Sequence, residues 1–124
     1  MKTSNKKYEI TDIAHETYPF LHRIRALRDI GENVKAGDLG GFVEGEHNLE
    51  TELSDSAWIF DDAIACGSAY VNQDSSLHNT AIACDHAYVS CGSALYGQAR
   101  AEDDAYLTAV QQRLKLLTVF LGGI

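Results

Sequence analysis

The phrase AIACGSAYV at residues 63–71 returns as AIACDHAYV at 81–89 and as ARAEDDAYL at 99–107, each start 18 residues after the last. A shorter period lies inside it. Ala57, Ala63, Ala69, Ser75, Ala81, Ala87, Ser93, Ala99 and Ala105 fall on every sixth residue, although Ala and Ser supply only 23 of the 124 residues. Two positions later stand Ile59, Ala65, Val71, Leu77, Ala83, Val89, Leu95, Ala101 and Leu107, all aliphatic. Two positions earlier stand Asp55, Asp61, Gly67, Gln73, Asn79, Asp85, Cys91, Gly97 and Asp103. Most of these are Gly, Asp or Asn, residues that turn a chain.

The unit is therefore turn, x, small, x, aliphatic, x. Residues two apart on a strand share a face, so the small and aliphatic positions point inward together and the residue between them points out. Each six-residue step is a short strand and a corner. Three steps bring the chain back over itself, which makes 18 the stronger period. Successive coils then pair at the strand spacing of roughly 4.8 Å. The expectation is a parallel β-helix, a solenoid whose repeats bury a core only by stacking. Side one holds AWIFDD, SSLHNT and SALYGQ; side two holds AIACGS, AIACDH and ARAEDD; side three holds AYVNQD, AYVSCG and AYLTAV. Side two offers only Ala65, Ala83 and Ala101 to the lumen and is expected to be pinched. A five-residue register breaks within two repeats, and the corner Gly and Asp oppose a 3.6-residue helix.

The whole chain reads as one domain. Tyr8, Ile10 and Ile13 suggest one strand and residues 21–27 a second, with Pro19 in the link. Residues 6–40 are expected to form a hairpin cap over the first, irregular rung. The coils occupy 41–108. At 109–121, Val110, Leu114, Leu117 and Leu121 recur at helical spacing before Gly122 and Gly123, predicting a short amphipathic helix that covers the last coil or meets a partner chain.

Net charge is −8, unevenly placed: residues 42–108 carry twelve Asp or Glu against Arg100 alone. That middle repels nucleic acid and membrane surfaces and suits a basic protein surface. Three cysteines without a CxxC pair, a polar start and no apolar run of membrane-spanning length read as a reduced, cytoplasmic chain.

The small-x-aliphatic hexad resembles the hexapeptide-repeat, left-handed β-helix family. The resemblance, not the spacing, implies left-handed coils. The stretch RIRALRDIGENVKAGDLGGFVE at 23–44 is similar to a segment of phage, prophage and enterobacterial proteins labelled hypothetical or transferase, without an established activity. The expected class is all-β, a single-stranded left-handed parallel β-helix of three regular coils. Enzymes of the hexapeptide family are trimeric acyltransferases, and the resemblance implies a coil histidine as general base. His78 and His86 are the coil histidines here, with Asp85 and Asp103 near His86.

Outward positions define the other candidates. Tyr70, Tyr88 and Tyr106 form a column on side three. Ile64 and Ile82 lie on side two, and Trp58 on side one. Together they suggest an apolar interface, extended by Leu114, Leu117 and Leu121. Asp61, Asp62, Asp85, Glu102, Asp103 and Asp104 could meet a basic partner, although corners favour such residues anyway. Cys66 and Cys84 occupy equivalent sites one coil apart, with Glu102 next in the column. That is close enough for a disulfide in principle, but they read as small outward residues. A cluster of these with His78, His86 and Cys91 lacks a tight metal motif.

The functional expectation is a non-enzymatic protein that forms dimers or trimers and binds a host or phage protein. One version is an acidic inhibitor of a nucleic-acid-binding defence system. The alternative is an acyl-CoA-dependent acyltransferase. No cofactor or metal is expected in the first reading.

Overall fold

The computed structural model describes residues 5–108, and in it the alternation of inward and outward residues closes the coils into three parallel walls beneath an antiparallel cap. The chain runs β1 (Tyr8–Ala14), β2 (His22–Ala26), β3 (Leu39–Val43) and a short 3-10 turn at Glu46–Asn48. Nine two-residue strands follow: β4 (Trp58–Ile59), β5 (Ile64–Ala65), β6 (Tyr70–Val71), β7 (Ser76–Leu77), β8 (Ile82–Ala83), β9 (Tyr88–Val89), β10 (Ala94–Leu95), β11 (Arg100–Ala101) and β12 (Tyr106–Leu107). Side one is β4-β7-β10 and side three is β6-β9-β12, both parallel. Residues 18 apart pair, as in Trp58 with Ser76 and Val71 with Val89. The fold is a parallel β-helix, as the hexad predicts. The expected helix at 109–121, with Leu114, Leu117 and Leu121, lies outside the described residues.

The inward positions build the core. Ile59, Leu77, Leu95, Val71, Val89 and Leu107 join Ala65, Ala83 and Ala101 in a single buried cluster. Side two contributes only alanines to this cluster, and they are fully or almost fully buried.

The cap differs from a simple lid. β1 and β2 form an antiparallel hairpin, and β2 pairs antiparallel with β3. β3 then pairs parallel with β5, Phe42 opposite Ile64 and Val43 opposite Ala65. One six-stranded sheet, β1-β2-β3-β5-β8-β11, thus contains both cap and second wall. Glycine makes that join feasible. A Cβ on Gly40 would lie 2.6 Å from the Ile59 carbonyl oxygen, and one on Gly41 would collide with the Ala63 carbonyl. Asn48 stitches the irregular rung to the first regular coil. It is buried, accepts from the Glu44 and Gly45 N–H groups, and donates to the Gly67 and Ala69 carbonyls. All four of its hydrogen-bonding sites are used.

The corners explain the turn residues. Asp61, Asn79 and Gly97 between sides one and two, and Gly67, Asp85 and Asp103 between sides two and three, have φ near +60°. The remaining corner puts two successive residues there, Gln73–Asp74 and Cys91–Gly92. Gln73 and Cys91 bear this conformation without the local hydrogen bonding that suits Asn and Asp to it. Asp55 offsets the cost at one corner: its carboxylate accepts the N–H groups of Gln73 (2.7 Å) and Asp74 (2.9 Å).

Candidate functional site

The eleven-residue stretch ITDIAHETYPF (10–20), with Leu21 following, leaves the buried start of β1 and overhangs side two. Leu21 is buried with Phe42 and Ile64, and Cys66 and Ile82 pack against them. From Asp12 to Phe20 the stretch faces out apart from half-buried His15: Ile13, near the end of β1, is 44%, Tyr18 48% and Phe20 54% exposed. His15 orders the loop. Its Nδ1 accepts the N–H groups of Thr17 and Tyr18, and its ring meets Phe42 edge-on at 4.7 Å.

Two grooves flank this overhang. One, of about 230 Å³, is lined by Tyr18, Phe20, Leu21, Ile64, Ile82, Cys66, Cys84 and Arg100. The other, of about 570 Å³, is lined among others by Ile13, His15, Arg23, Phe42, Asp62 and Thr80, and shares Ile64 and Ile82 with the first. Arg23 sits between cap and coil. Its guanidinium lies 4.2 Å from the centre of the Phe42 ring, donates to the Gly40 and Asp61 carbonyls, and pairs with the Asp62 carboxylate at 2.8 Å. At the far end Arg100 pairs with Glu102 at 2.7 Å.

The expected interface residues divide. Tyr70, Tyr88 and Tyr106 do form an outward column, with ring centres 5.4 and 5.1 Å apart. Tyr106 is 53% exposed, while Tyr70 and Tyr88 are half-buried and Tyr70 donates to Glu50. Trp58 does not belong to an exposed patch: it is 1% exposed, and the Tyr8 ring meets it edge-on. Ile64 is also buried. The first regular coil lies under the cap, which supplies the cover that sequence spacing assigned to a partner. Ile82, one coil further, is half-buried.

The acidic candidates are mostly corner fittings. Asp61 accepts the Asn79 N–H (2.8 Å), Asp85 accepts the Asp103 N–H (2.9 Å), Asp62 takes Arg23 and Glu102 takes Arg100. Asp103 and Asp104 are exposed.

His86 is exposed at a corner. His78 lies instead in a ladder that the sequence reading missed. Its ring is stacked between Phe60 at 4.6 Å and Tyr96 at 4.3 Å. All three follow the aliphatic position on side one at intervals of 18, a signal available in the sequence. The His78 Nε2 and Ser76 Oγ are 2.8 Å apart, and burial pushes the His78 pKa down. This pair faces a groove of about 250 Å³ formed with residues 30–34, Asp74 and Tyr96. The five thiol and imidazole candidates do not converge. Cys91 hydrogen-bonds Gln73, His78 is on side one, and Cys66 and Cys84 share the side-two groove. Among the described residues Cys84, Asp85 and Glu102 have donor atoms within 4.8 Å of one another. No helix among them is long and apolar enough to cross a membrane.

No family model, no curated protein and no solved structure matches the chain.

Proposed function

We propose that this chain is a protein-binding module whose second wall, roofed by the loop between β1 and β2, holds an extended apolar segment of a partner protein. The observation that carries this is the loop itself. A rigid coil holds Ile13, Tyr18 and Phe20 out beside two adjoining grooves with a shared aliphatic floor at Ile82. Exposed aromatic and aliphatic groups clustered around a concave surface are characteristic of recognition sites. The acidic excess of the coils favours basic residues flanking that segment, which would raise the association rate at low salt. The tyrosine wall serves self-association, and the resemblance to phage and prophage proteins directs the partner search to host proteins, including nucleic-acid-binding ones.

Selection from a random heptapeptide display library, followed by fluorescence-polarisation binding of the enriched peptides, tests this. The enriched peptides should be apolar with flanking Lys or Arg, and Tyr18→Ser with Phe20→Ser should lose their binding while Tyr106→Ser keeps it. Binding that ignores the loop pair and follows Tyr106 would place recognition on the other wall.

One observation favours the acyltransferase alternative: His78 is hydrogen-bonded to Ser76 beside a groove, and burial lowers its pKa toward the neutral form. A neutral imidazole is the form a general base requires. Calorimetric titration with coenzyme A decides between the readings: saturable binding lost on His78→Ala supports transfer chemistry, and heatless titration removes it.

A further inference from the structure

Cys66 and Cys84 follow β5 and β8 at equivalent points of successive coils. Their backbone N–H groups donate to Ala83 and Ala101, each at 3.0 Å, so both residues keep the coil register. Neighbouring parallel strands are about 4.8 Å apart. Both residues line the same groove, floored by Ile64 and Ile82 and roofed by Tyr18, Phe20 and Leu21. Two soft donors thus face one small apolar space.

From this geometry we infer that Cys66 and Cys84 form a two-coordinate site for a soft monovalent cation, copper(I), bound as a linear bis-thiolate. With zinc–thiolate bonds of about 2.3 Å as the guide, two bonds in line span about 4.6 Å, a separation that side chains rising from backbones about 4.8 Å apart can adopt. Soft thiolates select copper(I) over hard cations. In binding, two S–H bonds break, two S–Cu bonds form, two protons leave to solvent, and copper stays copper(I) throughout. The product carries one net negative charge. Arg100, which lines the same groove, supplies the complementary positive charge. Because two protons leave as the ion enters, binding strengthens as pH rises.

The same arginine argues against a divalent ion at the adjoining Cys84, Asp85 and Glu102. Glu102 is committed to Arg100 and Asp85 to the Asp103 N–H. Hard ions need several free oxygens, and zinc needs four donors. The inference does not rest on the protein-binding reading.

The test is anaerobic titration of the reduced full chain with copper(I) against a chromophoric chelator, with Cys66→Ser, Cys84→Ser, Cys91→Ser and Arg100→Gln. Each variant's fold is checked by circular dichroism, and Cys66→Ala and Cys84→Ala replace a serine variant that unfolds. The expected result is one copper(I) per chain with release of about two protons. Affinity should fall at least 100-fold in either groove variant and about tenfold in Arg100→Gln, and stay unchanged in Cys91→Ser. Wild-type affinity in the Cys66 and Cys84 variants, or loss in Cys91→Ser alone, overturns the inference. So does zinc binding as tightly as copper(I).

Discussion

The Asp61 carboxylate accepts the backbone N–H of Asn79, 18 residues on, at 2.8 Å, and the Asn79 side-chain oxygen accepts that of Gly97 at the same distance. Side chain and backbone alternate up this corner, so each coil clamps the next. Both clamping residues have φ near +60°, a conformation that Asp and Asn tolerate best among non-glycine residues. The corner residue therefore both turns the chain and fixes the register.

Asp61→Ala should lower unfolding free energy by about 1–2 kcal/mol, because it leaves one N–H less well satisfied and puts a worse residue at positive φ. Asp61→Asn should retain most of the stability. Urea denaturation of both variants measures the difference.

Cys91 carries the same strain without an Asx side chain to relieve it. Cys91→Asn should leave stability unchanged or raise it by up to about 1 kcal/mol, as read from the shift in urea midpoint.

Gly41→Ala should cost more than about 2 kcal/mol, since the added methyl meets the Ala63 carbonyl and Ile59 Cγ2, and backbone cannot yield as a side-chain tip can. Trp58 is the only tryptophan and is buried under the cap. Its fluorescence should move to longer wavelength as the cap loosens.

Lys7 gives a pH signature. Its ammonium is buried and donates to the Glu50 carbonyl at 3.1 Å; burial lowers its pKa to about 8, against the opposing pull of Asp55, Glu50 and Asp74. Between pH 8 and 10.5 the unfolded chain holds the proton that the folded chain has lost, so Lys7's contribution to stability rises through that window, by at most about 3 kcal/mol. Cys66 and Cys84, whose folded pKa values are raised, act oppositely above about pH 9. The wild type minus Lys7→Met difference in unfolding free energy isolates the lysine and should increase from pH 8 to 10.5.

The wall architecture was legible because every lumen position repeats. Ala63, Ala81 and Ala99 need no knowledge of distant chain segments to be placed. Trp58 and Ile64 were misread for the opposite reason: their cover comes from Tyr8, Leu21 and Phe42, which follow no period and reach them only through the antiparallel β1–β2–β3 join. The overhanging loop was unreadable on the same ground, since His15 and Phe42 meet across 27 residues of irregular sequence. The Phe60–His78–Tyr96 ladder could have been read, as it obeys the 18-residue spacing. It occupies the position after the aliphatic residue, outside the small-x-aliphatic triplet that defines the hexad. Asn48 carried no sequence signal, because its role depends on carbonyls of the next coil.

The most direct measurement is a ¹H–¹⁵N correlation spectrum of the labelled chain titrated with a library-selected peptide. The account predicts that the perturbed amides cluster at residues 13–21, 64–66 and 82–84, with those of Tyr70, Tyr88 and Tyr106 unmoved. Shifts confined to the tyrosine wall or to the His78 groove would contradict it.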